Sequence, residues 1–485
     1  MASSRPPPPS TSPSSSLPPN SPSFSPPTSI LIVGSGLFGL TLAWSLARRD
    51  AFSQCSITIV DRADPSSPDV FPSPDAASVD TSRIVRADYA DAAYAALCMD
   101  AQVHWRRQDK PADLGAQGRY TECGLVVVAE QAPAPQLEVV VDKSEMSGMD
   151  YTRASYDNVL SLAARHPEHI RSVRELPNAE AIRDRVGTGG SSGTWGYVNE
   201  GSGWANAGAS TAWLFDRVKS TGRVTFVAGT VTSLEHDGAA VTGAKLADGR
   251  TLTADLVVVA AGAWTGGLVD LSGQATATGQ VLGYIDLTEA EQGQLGRMPV
   301  VLNLTTGLFI IPPTNRVLKI ARHAYGYLNP VSGSSPLPSS PTASAPPVVS
   351  QPLTSLMAPT LSIPKEGADD LRRAVCEMVP LPGLAERPFT KTRLCWYSDT
   401  PTGDFLIDYH PQWKGLFVAT GDSGHAFKFL PVIGDKIADC VMGNCPAEFK
   451  TKWAWKPAAP VVITEDGSRG GKPGLILADE LAAAH

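Results

Sequence analysis

A glycine-rich turn near the start of the chain joins an apolar strand to a helix. The strand is predicted over Ile30–Val33, the turn is Gly34-Ser35-Gly36-Leu37-Phe38-Gly39, and the helix continues from Leu40. Gly34 permits the tight turn, Gly36 permits a pyrophosphate to approach the backbone, and Gly39 permits the helix to pack closely on the strand. Free N–H groups at the start of the helix attract phosphate. The pattern predicts a dinucleotide-binding βαβ unit.

A second apolar strand, Ile57–Val60, ends at Asp61, which lies 22 residues after Gly39. A carboxylate at this distance accepts hydrogen bonds from the adenosine ribose of a dinucleotide. An isolated glycine motif is also compatible with an ordinary structural turn. The two strands, the helix and the acid together favour dinucleotide binding, but they do not choose between FAD and NAD.

The composition excludes several classes of protein. With 485 residues the chain is long enough for two domains, and its net charge of −8 argues against nucleic acid as a partner. Seven cysteines without a CxxC pair indicate a reducing compartment and no structural zinc, and no histidine-carboxylate group has the spacing of a metal site. We expect no membrane span and a cytoplasmic location, because Ala483-Ala484-His485 matches a peroxisomal signal poorly.

Further strand-and-turn units occur late in the chain. The strand Leu256–Ala260 runs into Ala261-Gly262-Ala263-Trp264, and Leu416–Thr420 runs into a turn that contains Asp422, Gly424 and His425. A small-residue turn after a buried strand is typical of a sheet edge that a ligand approaches. Nucleotide-binding segments scattered along the whole chain favour a flavoprotein over a simple dehydrogenase.

Six separated motifs carry a resemblance to a known family. They are the glycine turn, Asp80–Arg86, Ala261–Trp264, Leu318–His323, Arg393–Tyr397 and Gly424–Phe429. In this order, over about 29 to 443, they resemble the sarcosine oxidase group of FAD-dependent amine oxidases. This group includes pipecolate, saccharopine and fructosyl amino acid oxidases, and the chain is most similar to the fungal saccharopine and pipecolate branch.

The resemblance implies an α/β fold in which a Rossmann-like FAD-binding domain of the glutathione reductase type carries an inserted α+β substrate domain with a mixed or antiparallel sheet. We expect the FAD-binding domain in 29–95, 195–270 and 390–450, and the substrate domain in 96–194 and 271–389. A Ser/Pro-rich surface excursion is expected at 331–364. We also expect a disordered Pro/Ser-rich tail at 1–28 and a C-terminal tail at 451–485.

The resemblance also implies the site residues. Cys395 aligns with the cysteine that holds FAD covalently, although a buried apolar role is usual for a free cysteine; Arg393 is expected to supply positive charge beside it. Lys319 matches the lysine that activates oxygen, and His323 matches a histidine that faces the substrate amine. Arg86 and Lys428 match a pair that binds the substrate carboxylate.

The cofactor is expected to contact residues from the whole length of the chain. They are Gly34, Gly36, Leu37, Phe38, Gly39, Asp61, Arg62, Ser82, Arg83, Val231, Ala261, Gly262, Trp264, Cys395, Asp422, Gly424, His425, Phe427 and Lys428. Arg83 is expected to contact the flavin or to support its own loop, and Asp422 is also placed to cap a turn.

The implied reaction is oxidation of a secondary amino acid such as saccharopine, L-pipecolate or a sarcosine-like N-alkyl amino acid. Hydride leaves the amine-bearing carbon for flavin N5, an imine forms, and O₂ becomes hydrogen peroxide. Arg322 is a candidate for the additional carboxylates of saccharopine, although on a strand it faces away from Lys319. The alternatives are a fructosyl amino acid oxidase, a tailoring FAD oxidoreductase of secondary metabolism, a dehydrogenase, and a flavin-binding protein without turnover. We expect a monomer.

Overall fold

The computed structural model describes residues 24–67, 71–131, 146–165, 173–333, 335–346, 348–460 and 462–483. The expected disordered tail at 1–28 therefore lies mostly outside the described residues. Its last residues are ordered against the body of the protein, where the Phe24 and Phe52 rings lie 5.8 Å apart. The backbone N–H of Thr28 also donates to Asp255 Oδ2 at 2.9 Å.

The described residues form 24 strands and ten α-helices. The strands are β1 Ser29–Val33, β2 Ser56–Asp61, β3 Arg83–Val85, β4 Tyr120–Glu122, β5 Leu125–Ala129, β6 Val173–Leu176, β7 Trp195–Asn199, β8 Gly203–Ala205, β9 Val224–Ala228, β10 Val231–Asp237, β11 Ala240–Leu246, β12 Thr251–Thr253, β13 Leu256–Val259, β14 Thr276–Asp286, β15 Val300–Asn303, β16 Leu308–Thr314, β17 Val317–Arg322, β18 Tyr327–Leu328, β19 Pro330–Ser332, β20 Val348–Ser350, β21 Lys391–Asp399, β22 Leu406–Tyr409, β23 Leu416–Thr420 and β24 Leu475–Ile476. The helices are α1 Leu37–Ala47, α2 Ala92–Trp105, α3 Gly148–Arg165, α4 Ala179–Val186, α5 Ala207–Ser220, α6 Glu289–Leu295, α7 Lys365–Met378, α8 Ile433–Val441, α9 Ala447–Trp453 and α10 Leu477–Ala482, and single 3₁₀ turns occur at Asp50–Phe52, Gly262–Gly267 and Phe427–Phe429.

The first sheet has the strand order β22-β23-β13-β1-β2-β9. Its strands are parallel except for β22, which pairs antiparallel with β23 at one edge. One face packs on α1, α2, α5 and α8, and the other face packs on the β10-β11-β12 meander. Because β1 and β13 are central and covered on both faces, they are continuous runs of apolar residues.

The second sheet is mixed, with the order β24-β18-β14-β17-β16-β15-β5-β7-β6, and β21 pairs antiparallel with β14. β14, β17, β16 and β15 are antiparallel neighbours, whereas β15 and β5 are parallel. α4 and α7 cover one face and α3 packs on the other. The expected α/β fold with a second, mixed sheet is confirmed.

The expected domain boundaries need correction at three places. β7 and β21 fall in segments assigned to FAD binding, but both are strands of the second sheet. α2 crosses the expected boundary at 95/96 and packs in the same core as α1. Strand pairing between distant segments decides sheet membership, and a single sequence does not reveal that pairing.

The expected C-terminal tail is instead packed structure. Trp453 is fully buried, β24 pairs parallel with β18, and α10 contacts α7. The excursion at 331–364 is also partly packed, since Leu337 is buried and Thr354 donates to Asp75 Oδ2 at 2.8 Å. Both segments lack regular apolar periodicity because they bury isolated side chains rather than one face of a long element.

Candidate active site

A cavity of about 680 Å³ runs along the carboxyl ends of the first sheet. Its walls contain most residues that the sequence assigns to the cofactor, namely Gly34, Gly36, Leu37, Phe38, Asp61, Arg62, Arg83, Val231, Ala261, Gly262, Trp264, Asp422, Gly424 and Phe427. The glycine turn and the small-residue turns after β13 and β23 thus lie around one space. Its volume and its lining by these three turns fit a dinucleotide.

The three glycines of the turn fit the tasks predicted for them. Gly34 has φ +108°, and a Cβ there would lie 2.5 Å from the carbonyl oxygen of Ala260. A Cβ at Gly39 would lie 2.0 Å from the Gly34 oxygen, so this residue serves helix packing and does not line the cavity. A Cβ at Gly36 would meet nothing within 4 Å. Gly36 therefore borders open space at the start of α1, where a phosphate group fits.

Asp61 and Arg62 shape one end of the larger cavity. Asp61 Oδ2 accepts the Ser35 backbone N–H at 2.7 Å, and Oδ1 accepts the Ala63 N–H at 2.9 Å. The Arg62 guanidinium carbon lies 4.3 Å from the centre of the Trp264 ring. These contacts fix both charged groups, and the carboxylate retains lone pairs for a ribose hydroxyl.

A smaller cavity of about 70 Å³ adjoins the first, and the two share Arg83, Tyr397, Gly424 and Phe427 in their walls. Arg86, Lys319, His323, Cys395, His425 and Lys428 also line it. The structure therefore brings together every residue predicted for catalysis and substrate binding. Ser82, predicted to bind the cofactor, lines neither cavity, and its carbonyl oxygen instead accepts a hydrogen bond from Lys319 Nζ at 2.6 Å.

Lys319 lies on β17 and forms an ion pair that sequence reasoning missed. Its Nζ is 2.7 Å from Asp80 Oδ2, and the Tyr284 hydroxyl donates to Asp80 Oδ1 at 2.6 Å. Burial and Arg83 lower the pKa of Lys319 while Asp80 raises it, which leaves the pKa at about 8. Burial raises the pKa of Asp80, but Lys319 and Arg83 outweigh it and hold that pKa well below its usual range.

Arg83, rather than Arg393, contacts the candidate attachment residue. Its Nη2 donates to Cys395 Sγ at 3.3 Å and to the Ala77 carbonyl at 2.7 Å. Arg393 turns away and donates to the carbonyl oxygens of Val79 and Ala76 at 2.6 and 2.9 Å. The short spacing within the β21 motif suggested Arg393, whereas the actual partner is the first residue of β3, 312 positions away.

Arg86 is a buried cation with unused hydrogen-bonding capacity. The residue is 6% exposed, and its Nη1 has no hydrogen-bond partner. The neighbouring Asp88 carboxylate is already engaged, because it accepts from Ser202 Oγ at 2.7 Å and Asn199 Nδ2 at 3.1 Å. An unpaired guanidinium nitrogen in a buried cavity is costly unless a ligand supplies the acceptor.

Lys428 is held beside Arg86 by a chain of hydrogen bonds. Its Nζ donates to the Tyr89 hydroxyl at 2.8 Å and to the His425 carbonyl at 2.7 Å. Tyr89 in turn lies 2.9 Å from His425 Nδ1, while His425 Nε2 lies 2.7 Å from the Gly403 carbonyl. Both ring nitrogens of His425 are therefore engaged by protein groups, and the ring orients Lys428. Burial and Arg86 lower the pKa of Lys428 well below its usual value.

His323 follows β17 and contacts the C-terminal segment. Its Nδ1 lies 3.2 Å from Arg469 Nη1, a contact that sequence reasoning missed because Arg469 lies in the expected tail. Burial and then Arg469 lower the pKa of His323 well below its usual value, so the ring is neutral. Lys319 and His323 both border the smaller cavity, as the two-residue period of a strand predicts.

Arg322, suggested for extra substrate carboxylates, is already paired with protein acids. Its Nη1 donates to Glu366 Oε1 and Asp370 Oδ2 of α7, each at 2.6 Å.

Asp422 caps its turn, since Oδ1 accepts the Ser398 N–H at 3.1 Å and Oδ2 accepts the Gly424 N–H at 3.2 Å. Burial raises the pKa of Asp422 to about 6.

Among the described residues, no group of three or more histidine, cysteine, aspartate or glutamate side chains could hold a metal ion. Across the same part of the chain, no helix combines the length and the apolar character that a bilayer crossing requires.

Comparison with known proteins identifies the family. Residues 29–440 match the family described as "FAD dependent oxidoreductase". The chain is 34% identical to the amino acid oxidase imqH of Aspergillus flavus over 86% of this chain and 93% of that one. It is 31% identical to the L-saccharopine oxidase of Schizosaccharomyces pombe over 88% and 93% of the two chains. A fructosyl peptide oxidase structure from E. terrenum aligns with a TM-score of 0.76 and 25% identity, covering 93% of this chain and 96% of that one. The chain thus belongs to the FAD dependent oxidoreductase family, which decides the cofactor question in favour of FAD.

Proposed function

We propose that the protein is an FAD-dependent oxidase of a small amino acid with a secondary amine, and that oxygen is its electron acceptor. The observation that carries the proposal is the buried, unpartnered Nη1 of Arg86 beside Lys428. Two buried basic side chains that line one small cavity form a site for one carboxylate. This carboxylate would also raise the pKa of Lys428 and keep its ammonium form.

The amine end of the substrate would lie toward His323. A neutral imidazole can donate one hydrogen bond and accept another, so it can orient an amine without repelling it. When bound, FAD supplies the acceptor for the hydride of the amine-bearing carbon and passes the electrons to O₂, which gives an imine and hydrogen peroxide.

Lys319 would serve the oxygen half of the reaction. Negative charge develops on oxygen as it is reduced, and a fixed ammonium group in a buried site stabilises that charge. The Asp80 carboxylate and the Ser82 carbonyl hold Nζ in place at 2.7 and 2.6 Å. With a pKa of about 8, Lys319 is mostly charged at neutral pH.

We further propose that Cys395 holds FAD covalently. Its thiol is 2% exposed, lines the smaller cavity and receives a hydrogen bond from the Arg83 cation at 3.3 Å. The thiolate is the reactive form of a cysteine, and the Arg83 cation lies at the sulfur atom that would react. In a Cys395→Ala variant, acid precipitation should release the flavin into the supernatant, whereas a Cys55→Ala control should retain it in the pellet. Retention in the Cys395→Ala pellet would place the attachment elsewhere.

The smaller cavity favours small substrates. Its volume of about 70 Å³ is far below the roughly 300–1,000 Å³ that is typical of pockets for drug-sized ligands. The relatives include amino acid oxidases and an L-saccharopine oxidase, and the aligned structure is a fructosyl peptide oxidase. We place L-pipecolate and sarcosine-like amino acids ahead of saccharopine and fructosyl amino acids, whose additional groups need more space.

Hydrogen peroxide release by the purified holoenzyme tests this function. The panel contains sarcosine, L-pipecolate, other N-methyl amino acids, L-saccharopine and fructosyl-valine, each at equal concentration. Preference for a small secondary amino acid supports the proposal, and preference for fructosyl-valine replaces it with a fructosyl amino acid oxidase. Flavin reduction without peroxide release would instead indicate a dehydrogenase.

We also propose that the protein acts as a cytoplasmic monomer, which its seven free cysteines suit. Light scattering of the eluted holoenzyme should give a mass near 51.1 kDa. A mass near twice that value would contradict the monomer.

A further inference from the structure

The C-terminal segment runs directly along the loop that carries His323. The Gly470 N–H donates to the His323 carbonyl at 3.1 Å, and the Tyr325 N–H donates to the Gly470 carbonyl at 3.2 Å. Gly470 has no room for a side chain, because a Cβ would lie 2.0 Å from the carbonyl oxygen of Thr306. These contacts fix the backbone of the neighbouring Arg469 relative to His323.

Arg469 reaches from this segment into the site. Its side chain is 1% exposed, and Nη2 donates to Asp399 Oδ1 at 2.6 Å and to the Ser423 carbonyl at 2.9 Å. Nη1 lies 3.2 Å from His323 Nδ1. A guanidinium group has N–H donors and no acceptor, so Arg469 must donate in this contact. Nδ1 of His323 must therefore carry a lone pair, and the ring proton of the neutral imidazole lies on Nε2.

The surroundings of His323 keep the ring neutral. The charged and titratable groups that face it or its partner Arg469 are Arg86, Lys428, His425, Tyr397, Asp399, Asp422 and Asp466. Burial and the cations among them lower the pKa of His323 well below its usual value. Ser468 Oγ lies 3.5 Å from Nε2, which is too long for a strong hydrogen bond. The Nε2–H group thus remains available to a ligand in the cavity.

We propose that Arg469 is a positioning residue that fixes His323 as the neutral Nε2–H tautomer, so that His323 offers a hydrogen-bond donor to the bound amino acid. The inference rests on the proposed function for its ligand, but the tautomer itself does not depend on any substrate. Arg469 lies beyond the span 29–440 that matches the family, so the family match assigns it no role.

Nitrogen NMR of the holoenzyme with ¹⁵N-labelled histidine tests the tautomer without turnover. The His323 signals are identified by their loss in a His323→Asn variant. We expect one protonated nitrogen, Nε2, and one unprotonated nitrogen, Nδ1, unchanged between about pH 5.5 and 8 where an ordinary histidine titrates. A wild-type signal with the proton on Nδ1, or a ring that titrates in this range, would overturn the proposal.

Variants of Arg469 extend the test. In Arg469→Met, the His323 signals should titrate closer to about 6.5, the ordinary histidine value. Arg469→Lys retains a cationic donor and should preserve part of the wild-type behaviour. Ser468→Ala is the matched control, because it removes the other side chain near a ring nitrogen of His323 and should leave the tautomer unchanged. An Arg469→Met spectrum identical to that of the wild type would contradict the inference, and the wild-type measurement decides it if this variant does not fold.

Anaerobic flavin reduction gives the functional readout. Arg469→Met should reduce the rate constant about tenfold or more and should add an acid-side pH dependence, because misplacement of an orienting group weakens catalysis and a protonated His323 repels the amine. The added pH dependence should vanish in the Arg469→Met/His323→Asn double variant. If no amino acid reduces the wild-type flavin, the proposed function fails while the NMR result still decides the role of Arg469.

Discussion

Arg86 and Arg322 are both buried arginines near the smaller cavity, but their charges are compensated differently. Arg322 has two carboxylates from α7 as partners, Glu366 and Asp370. Arg86 retains an Nη1 without a partner, and the neighbouring Asp88 carboxylate is engaged by Asn199 and Ser202. Nε of Arg322 also lacks a hydrogen-bond partner, so the two residues differ in charge compensation and not in the number of spare donors. A buried cation paired with two carboxylates supports the fold, whereas a buried cation whose neighbouring carboxylate is engaged elsewhere is prepared for an anionic ligand.

Substitution of Arg86 should give the largest functional effect. Arg86→Gln removes a charged, two-pronged partner of the substrate carboxylate, and each hydrogen bond to a charged group is worth about 1.5–3 kcal/mol. We expect kcat/KM for the best amino acid to fall about 10²- to 10³-fold in steady-state peroxide assays, with little change in Tm. An unchanged kcat/KM would remove Arg86 from substrate binding and break the comparison with Arg322.

Lys319→Met should slow flavin reoxidation about 100-fold, because the ammonium that stabilises charge on oxygen is lost. Anaerobic reduction by the amino acid should change only a few-fold. Stopped-flow measurement of the two half-reactions separates these effects. Equal slowing of both halves would argue that Lys319 supports the site in general and has no special role toward oxygen.

Arg322→Gln is the matched control, because Arg322 borders the same cavity as Arg86 but its guanidinium is bound by Glu366 and Asp370 of α7. It should lower the free energy of unfolding by about 2 kcal/mol, below the usual cost of breaking a buried ion pair because Glu366 and Asp370 are partly exposed. Urea unfolding monitored by tryptophan fluorescence measures this change. Peroxide production per folded enzyme should remain within about twofold of the wild-type value. A loss as large as that of Arg86→Gln would show that pairing with carboxylates does not distinguish a structural arginine from a substrate-binding arginine.

Asp80→Asn should shift the pH dependence of the flavin reoxidation rate. Lys319 must be protonated to act on oxygen, so the wild-type reoxidation rate should decline as pH rises through about 8. Asp80 raises the pKa of Lys319, and its loss should move this decline to lower pH by about one unit, which corresponds to 1.4 kcal/mol. Reoxidation rates across the pH range would check the shift, and a decline at unchanged pH would mean that another group titrates.

The difference between local geometry and contacts across the chain explains how much of the site could be predicted from the sequence. The larger cavity depends on backbone geometry within short segments, so Gly34, Gly36 and Gly39 could be assigned individually. Lys319 and Arg86 were identified because they lie in separate motifs of a resembled family. The partners of these residues could not be derived: Asp80 and Lys319 are 239 positions apart in the sequence, and Arg469 is 146 positions from His323.

The predictions for Arg393 and for the C-terminal segment were wrong because contacts between distant segments decide both positions, and the local sequence pattern does not show those contacts. Arg393 lies two residues from Cys395 and was expected to supply positive charge beside it, but its guanidinium donates to the carbonyl oxygens of Val79 and Ala76. The segment 451–485 has few apolar residues in any regular period, and its buried Arg469 and Trp453 are anchored singly. Isolated anchors of this kind leave no periodic signal.

The central claim is that the smaller cavity recognises an amino acid by its carboxylate, and one measurement tests it directly. The holoenzyme is reduced anaerobically by the best substrate of the panel and, in parallel, by the carboxamide of the same amino acid. Arg86 and Lys428 predict that the amide reduces the flavin at least about 100-fold more slowly at equal concentration. Equal rates for the acid and the amide would contradict the account.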